Sequence, residues 1–108
     1  MSTHSWRVSV ENAANLLQKE NARFVQVIKN GKMKVEYFAP QHLDRQHPHS
    51  QDELYIIIAG EAEFLRDGET TSCNSGDVIF VPAKMEHRFM NFSEDFATWV
   101  IFYGEEVS

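Results

Sequence analysis

The sequence predicts an all-β domain, a small antiparallel barrel or sandwich with one short helix in front of it. Three observations predict it. Short runs rich in β-branched and aromatic residues recur from Phe24 to Tyr103. Tight-turn signals fall between them at Asn30-Gly31, Gly60-Glu61, Asp67-Gly68 and Asn74-Ser75-Gly76-Asp77. Helical periodicity is confined to one segment near the N-terminus. Eight or nine strands at such short spacing favour a barrel or sandwich over any α/β plan.

The elements follow in order. Val10, Ala13, Ala14 and Leu17 fall at i, i+3, i+4 and i+7, one apolar stripe of a helix, with Ser9 at the N-cap. Phe24 to Ile28 and Met33 to Phe38 read as strands. Asn30-Gly31 between them tolerates the φ > 0 that a two-residue hairpin turn demands, and Ala39-Pro40 ends the hairpin. Leu54 to Ile58 is apolar on both faces and predicts a strand covered on both sides. Glu61 to Arg66 alternates polar with apolar, as a half-exposed strand does. Val78 to Val81 is a short buried strand stopped by Pro82, and His87 to Phe92 and Phe96 to Tyr103 complete the set. The chain reads as a single domain, 1–108, with residues 1–22 an N-terminal extension carrying the helix and residues 23–104 the barrel.

Composition narrows the function. The formal net charge is −6 over 108 residues and the cations are dispersed, which disfavours nucleic acid as a partner. Lys29, Lys32 and Lys34 flank a turn and read as solvated strand faces. The single cysteine, Cys73, excludes an internal disulfide and reads as a buried small residue in a reducing compartment. Residues Met1 to Arg7 carry no apolar stretch of the signal-peptide kind. The longest apolar run, Leu54 to Ala59, is far short of the roughly 20 residues of a membrane helix. The expected location is cytoplasmic, with no membrane partner.

His47, His49, Glu53 and His87 are the residues that carry chemistry. In an extended strand, side chains at i and i+2 share a face, so His47 and His49 point together and Glu53 joins them if no bulge intervenes. His87 must come from another strand, on which His87, Phe89 and Asn91 share a face. Leaving such groups buried and unpaired costs about 1–3 kcal/mol each, and a metal removes that cost by taking their lone pairs. Three imidazoles and a carboxylate suit a divalent ion such as iron, manganese, nickel or zinc, with coordination positions left open. His4 and His42 read as ordinary surface histidines. Gln41, Gln51, Tyr55 and Asn91 are the polar neighbours in sequence that can orient the ligands. Tyr37, Phe89 and Trp99 are the aromatic residues expected to line a pocket above the metal.

His47-x-His49-x3-Glu53-x6-Gly60 resembles the first motif of the cupin superfamily, and Gly76-x5-Pro82-x4-His87-x3-Asn91 resembles most of the second. Together the two cover residues 41 to 91 in the right order. The resemblance implies a small antiparallel jelly-roll barrel holding a metal in its interior on His47, His49, Glu53 and His87. Gln41 and Lys84 stand where these motifs usually have glycine, both at backbone turns, and Lys84 sets a cation near the strand that bears His87.

Similar proteins include dioxygenases, oxalate-degrading enzymes, sugar-phosphate isomerases, decarboxylases and non-catalytic binding domains, so the fold alone does not settle the function. The expected function is a metal-dependent enzyme of dioxygenase type acting on a small organic acid, enol or thiol. The alternatives are a non-catalytic small-molecule or metal-binding module, and a cupin isomerase or decarboxylase. A homodimer is expected as well, because Leu54 to Ile58 and Trp99 to Tyr103 carry more apolar surface than one small barrel covers.

Overall fold

A computed structural model describes residues 6–108; the readings of His4 and of the first five residues lie outside the described residues. Helix α1 spans Val10–Glu20 and begins as expected: Ser9 is extended, and its Oγ accepts from the Asn12 amide at 3.0 Å. It ends at Asn21, whose left-handed conformation lets the Asn21 amide donate to the Gln18 carbonyl and the Ala22 amide to the Leu17 carbonyl.

Eight strands follow: β1 (Phe24–Asn30), β2 (Met33–Phe38), β3 (Asp52–Ala59), β4 (Glu61–Arg66), β5 (Glu69–Asn74), β6 (Val78–Val81), β7 (His87–Met90) and β8 (Ala97–Tyr103). Every pair is antiparallel. The strands form a five-stranded sheet in the order β1-β2-β8-β3-β6 and a three-stranded sheet in the order β5-β4-β7. β7 stops before its expected end because Asn91 turns left-handed, at φ 50°.

Two apolar clusters hold these layers. Tyr55, Ile57, Phe64, Phe89, Phe96 and Val100 pack between the sheets. On the opposite face of the large sheet, Ala13 and Leu17 of α1 cover Val25, Tyr37 and Ala97, with Trp99 packed alongside. The helix therefore seals the back of β1, β2 and β8 and leaves their other face to the interior. That face carries Lys34, Glu36 and Phe38 from β2 directly opposite Phe102, Val100 and Thr98 from β8. At the edge of the large sheet, Val78 and Phe80 of β6 are exposed.

Gly60 joins β3 to β4 at φ +79°, and a Cβ there would meet the Phe96 Cα at 2.8 Å and crowd Ser93 Oγ. The Phe96 contact is backbone and cannot swing away. Gly60→Ala is therefore expected to destabilise the domain by about 2–4 kcal/mol in urea unfolding, combining overpacking with a strained conformation. Gly31→Ala, also at positive φ but with open space around it, should cost clearly less. Lys84 tests the reverse. It holds φ +70° where the motif usually has glycine, so Lys84→Gly should leave stability unchanged or raise it by up to about 1 kcal/mol.

Candidate metal centre and adjoining cavity

Glu53 is the inward residue of β3 nearest its start, flanked in register by Val81 of β6 and Phe102 of β8, and it is 1% exposed. His87 opens β7 on the facing sheet and is also buried. His49 lies in the irregular segment that leads into β3. The structure brings these three together, with one ligand atom from each lying within 4.8 Å of the others. His87 Nε2 is 2.8 Å from Glu53 Oε1, and His49 Nε2 is 3.9 Å from Glu53 Oε2.

The lone pairs decide what the group can do. His87 Nδ1 lies 2.9 Å from the Met85 carbonyl, so it carries the ring proton and donates it there. With Nδ1 committed to Met85, Nε2 is the ring nitrogen aimed at Glu53 Oε1, holding a proton shared with it or, once that proton leaves, a lone pair. Nε2 of His87 and Oε2 of Glu53 are both fully buried; Oε2 has no hydrogen-bond partner, and Nε2 faces only Glu53 Oε1. A proton between His87 Nε2 and Glu53 Oε1 leaves Oε2 unmet, whereas a divalent cation takes a lone pair from each residue. The donor set fits a metal.

Burial lowers the His87 imidazole most, but Glu53 and the Met85 carbonyl together outweigh it and hold its pKa above the ordinary 6.5. His49 goes the other way: burial pulls it below 6.5, and Glu53 only partly opposes this. The two imidazoles are thus shifted in opposite directions, His87 toward sharing a proton with the carboxylate and His49 toward the neutral form. A cation entering the site displaces that proton.

Asp44 and Gln46, which sequence reading did not single out, orient the ligands. Buried Asp44 accepts from the Gln46 amide at 3.0 Å, from Gln46 Nε2 at 2.8 Å and from the Phe89 amide at 2.8 Å. Gln46 Oε1 then accepts from the Tyr55 hydroxyl at 2.9 Å and faces His49 Nε2 at 3.2 Å. The Tyr55 hydroxyl also reaches Glu53 Oε1 at 3.4 Å. The Asp-x-polar spacing of Asp44-Arg45-Gln46 is an Asx-turn signal, the one trace of this network in the sequence. Of the four expected orienting residues, Tyr55 alone joins it. Gln51 Nε2 donates to the Lys32 and Gly104 carbonyls, and Asn91 Nδ2 donates to Glu63 Oε1. Gln41 lines the cavity described next.

A cavity of about 610 Å³ reaches the group at His49, lined among others by His47, His49, Lys34, Glu36, Phe38 and Phe102. His47 is exposed on its wall and stands outside the three-residue group. The i, i+2 rule fails because residues 39–51 form no strand; Asp44 folds the segment on itself, and β3 begins only at Asp52. Tyr37, Phe89 and Trp99 are not part of the lining. Tyr37 and Trp99 pair edge to face, 5.5 Å apart, on the helix side of the sheet, and Phe89 fills the interior between the sheets. Lys84 is exposed and acts through its backbone, whose amide donates to the His49 carbonyl at 2.7 Å. The cation that does line the cavity is Lys34, half-buried rather than solvated.

Burial raises the Glu36 carboxyl above 4.5, against the pull of Lys34 and with help from Glu53. Because the folded pKa exceeds the unfolded one, ionised Glu36 is a destabilising charge above its folded pKa, and the penalty is gone below 4.5. Glu36→Gln should therefore raise the melting temperature at neutral pH by a few degrees. The gain should shrink as pH falls toward 4.5, and a constant gain would refute the burial account.

The described residues contain no helix long and apolar enough to cross a membrane. An uncharacterised protein of Streptomyces coelicolor is 34% identical over 101 residues, covering 92% of this chain and 91% of that protein. The dimethylsulfoniopropionate lyase DddQ of Ruegeria pomeroyi is 35% identical over 60 residues, 55% of this chain but 30% of the lyase. The crystal structure of an RmlC-like cupin with a double-stranded β-helix fold from Methanocaldococcus jannaschii superposes with a TM-score of 0.63 at 18% identity, over 73% of this chain and 76% of that one. Residues 34–103 match the cupin domain, and with the motifs and the two-sheet barrel in place, this chain belongs to the cupin family.

Proposed function

We propose that this cupin is a metal-dependent enzyme of dioxygenase type acting on a small organic acid, enol or thiol, with His49, Glu53 and His87 holding the metal. The observation that carries the reading is the buried convergence of Glu53, His87 and His49, with Glu53 Oε2 left without a partner and His49 at the wall of a cavity. Two histidines and one carboxylate with open positions are the donor set of non-haem iron oxygenases. A divalent iron there would polarise a bound substrate oxygen and supply electrons to dioxygen.

The chain's own residues do the rest. Glu53 offsets one of the two positive charges and, walled in by Val81 and Phe102, keeps water from its side of the site. The Met85 carbonyl holds His87 in the ligating tautomer. Gln46 and Tyr55 fix His49 and Glu53, and the cavity brings substrate to the exposed side of His49.

A second, non-oxidative reading is supported by Glu36, a carboxyl with raised pKa in the same cavity, and by the likeness to a lyase. In that case Glu36 would take a proton from the substrate. Dioxygen consumption separates the two: the first reading requires it, whereas turnover that continues anaerobically belongs to the second.

Metal content by mass spectrometry comes before either. The purified protein should carry near-stoichiometric metal, and His87→Ala should lose it. Gln46→Ala, which removes the side chain linking Asp44 to His49 and Tyr55, should weaken metal binding without abolishing it. His47→Ala, truncating a side chain outside the group of three, should retain metal better than His87→Ala. An empty parent protein that takes up no added iron, manganese, nickel or zinc would defeat the proposal.

A further inference from the structure

Three of the chain's ten lysine and arginine residues, Arg23, Lys34 and Arg45, line the one cavity that also holds His47 and His49. In a chain of net charge −6, ion pairs ought to be easy to find, yet among the described residues none of the three makes one. Of the carboxylates in the lining, Asp44 is consumed by Gln46 and the Phe89 amide. Glu36 is the remaining acid. Lys34 is also the best placed of the cations. Its Nζ sits 5.6 Å from the centroid of the Phe102 ring, and that ring lies 4.9 Å from the His49 ring. One aromatic ring thus separates a half-buried ammonium from a proposed metal ligand.

The remainder of the wall is apolar. Phe38, Val100 and Phe102 line its inner part, and Phe24 and Leu43 line it while 57% and 52% exposed. Large apolar side chains left open beside unpaired cations match a ligand with a hydrophobic body and an anionic end. A second charge on the ligand is another matter. Glu36 shares the β2 face with Lys34, two residues away, so a dianion would bring its extra carboxylate against a carboxylate.

We infer that the cavity selects a monocarboxylic acid with a hydrophobic body, its carboxylate held by Lys34, its apolar part against Phe24, Leu43 and Phe102, and dicarboxylates excluded by Glu36. This deepens the reading of His49, Glu53 and His87 as the metal-binding end of the same cavity.

Calorimetric titration of the protein as purified tests it with three probes: hydrocinnamate, its neutral amide hydrocinnamide, and phenylsuccinate, which is hydrocinnamate with one more carboxylate. Hydrocinnamate should bind about tenfold or more tighter than the amide, the worth of a hydrogen-bonded charge in a partly dry site. Lys34→Met should abolish that preference and Lys34→Arg should keep it, the latter showing that loss in the former is not misfolding. Glu36→Gln should bring phenylsuccinate close to hydrocinnamate. Equal binding of acid and amide, or a preference that survives Lys34→Met, overturns the inference. Metal content measured on the same samples separates the two proposals. Normal metal with no acid preference sinks this one alone, whereas a Lys34-dependent preference in metal-free protein upholds it and sinks the metal reading.

Discussion

The structure turns on a carboxylate placed where water does not reach. Glu53 sits near the start of β3 with a paired strand on each side, and one of its oxygens has no partner. A strand of this kind ordinarily carries an apolar residue at that position, and Tyr55 and Ile57, the next two inward residues of β3, obey the rule. The cost of burying an ionised group without full pairing runs to several kcal/mol. His87, 2.8 Å away, offsets part of it, but only by keeping a proton that its buried position resists. The arrangement is poor as a structural ion pair and good as half of a cation site. Stability and function are opposed here, and the core of aromatic rings beneath, from Tyr55 through Phe89 to Phe96, supplies the surplus that lets Glu53 remain.

The segment between β2 and β3 depends on the same neighbourhood. It has no ladder to satisfy its backbone, so a side chain does the work of a strand. Asp44 gathers the Gln46 amide and side chain and reaches across to the Phe89 amide at the inner edge of β7. Because Gln46 in turn touches His49 and Tyr55, the loop's conformation and the ligands' orientation are one network. The Lys84 amide on the His49 carbonyl adds a second tie from the loop that precedes β7. A loop held in this way can present His49 with precision and still leave His47 free on the cavity wall.

How much of this was legible in the sequence follows from which rules were in force. The hairpins could be read because their turns need residues that tolerate positive φ, as Gly31, Asp67 and Gly68 do, although the first turn sits one residue later than Asn30-Gly31, at Gly31-Lys32. Glu53 and His87 could be read because titratable residues inside otherwise apolar strands demand a reason. His47 could not be placed, since the alternation argument presupposes a strand and a side-chain network had replaced it. Tyr37 and Trp99 were assigned to the wrong side for a different reason. β2 and β8 are covered on both faces, by the interior and by α1, so hydrophobicity does not reveal which parity points inward. Lys34 reads as solvated from the sequence by the same ambiguity: it is two positions past the hairpin turn, and only the register opposite Phe102 shows where it points.

That ambiguity explains where the individuality of this cupin resides. The ligands and the barrel are shared features of a fold that hosts many reactions, so they constrain chemistry only to what a metal can do. The parity of β2 is different. Shifting it by one residue would bury Val35 and Tyr37 against the cavity and send Lys34 and Glu36 to the helix side, where Ala13 and Leu17 offer neither a partner. The helix therefore acts on the site from behind the sheet. By demanding Tyr37 and Trp99 for its own face, it commits β2 to present an ammonium and a carboxylate to the interior, opposite Phe102 and Val100. The packing of an N-terminal helix thus sets the charge pattern that a ligand meets on its way to His49.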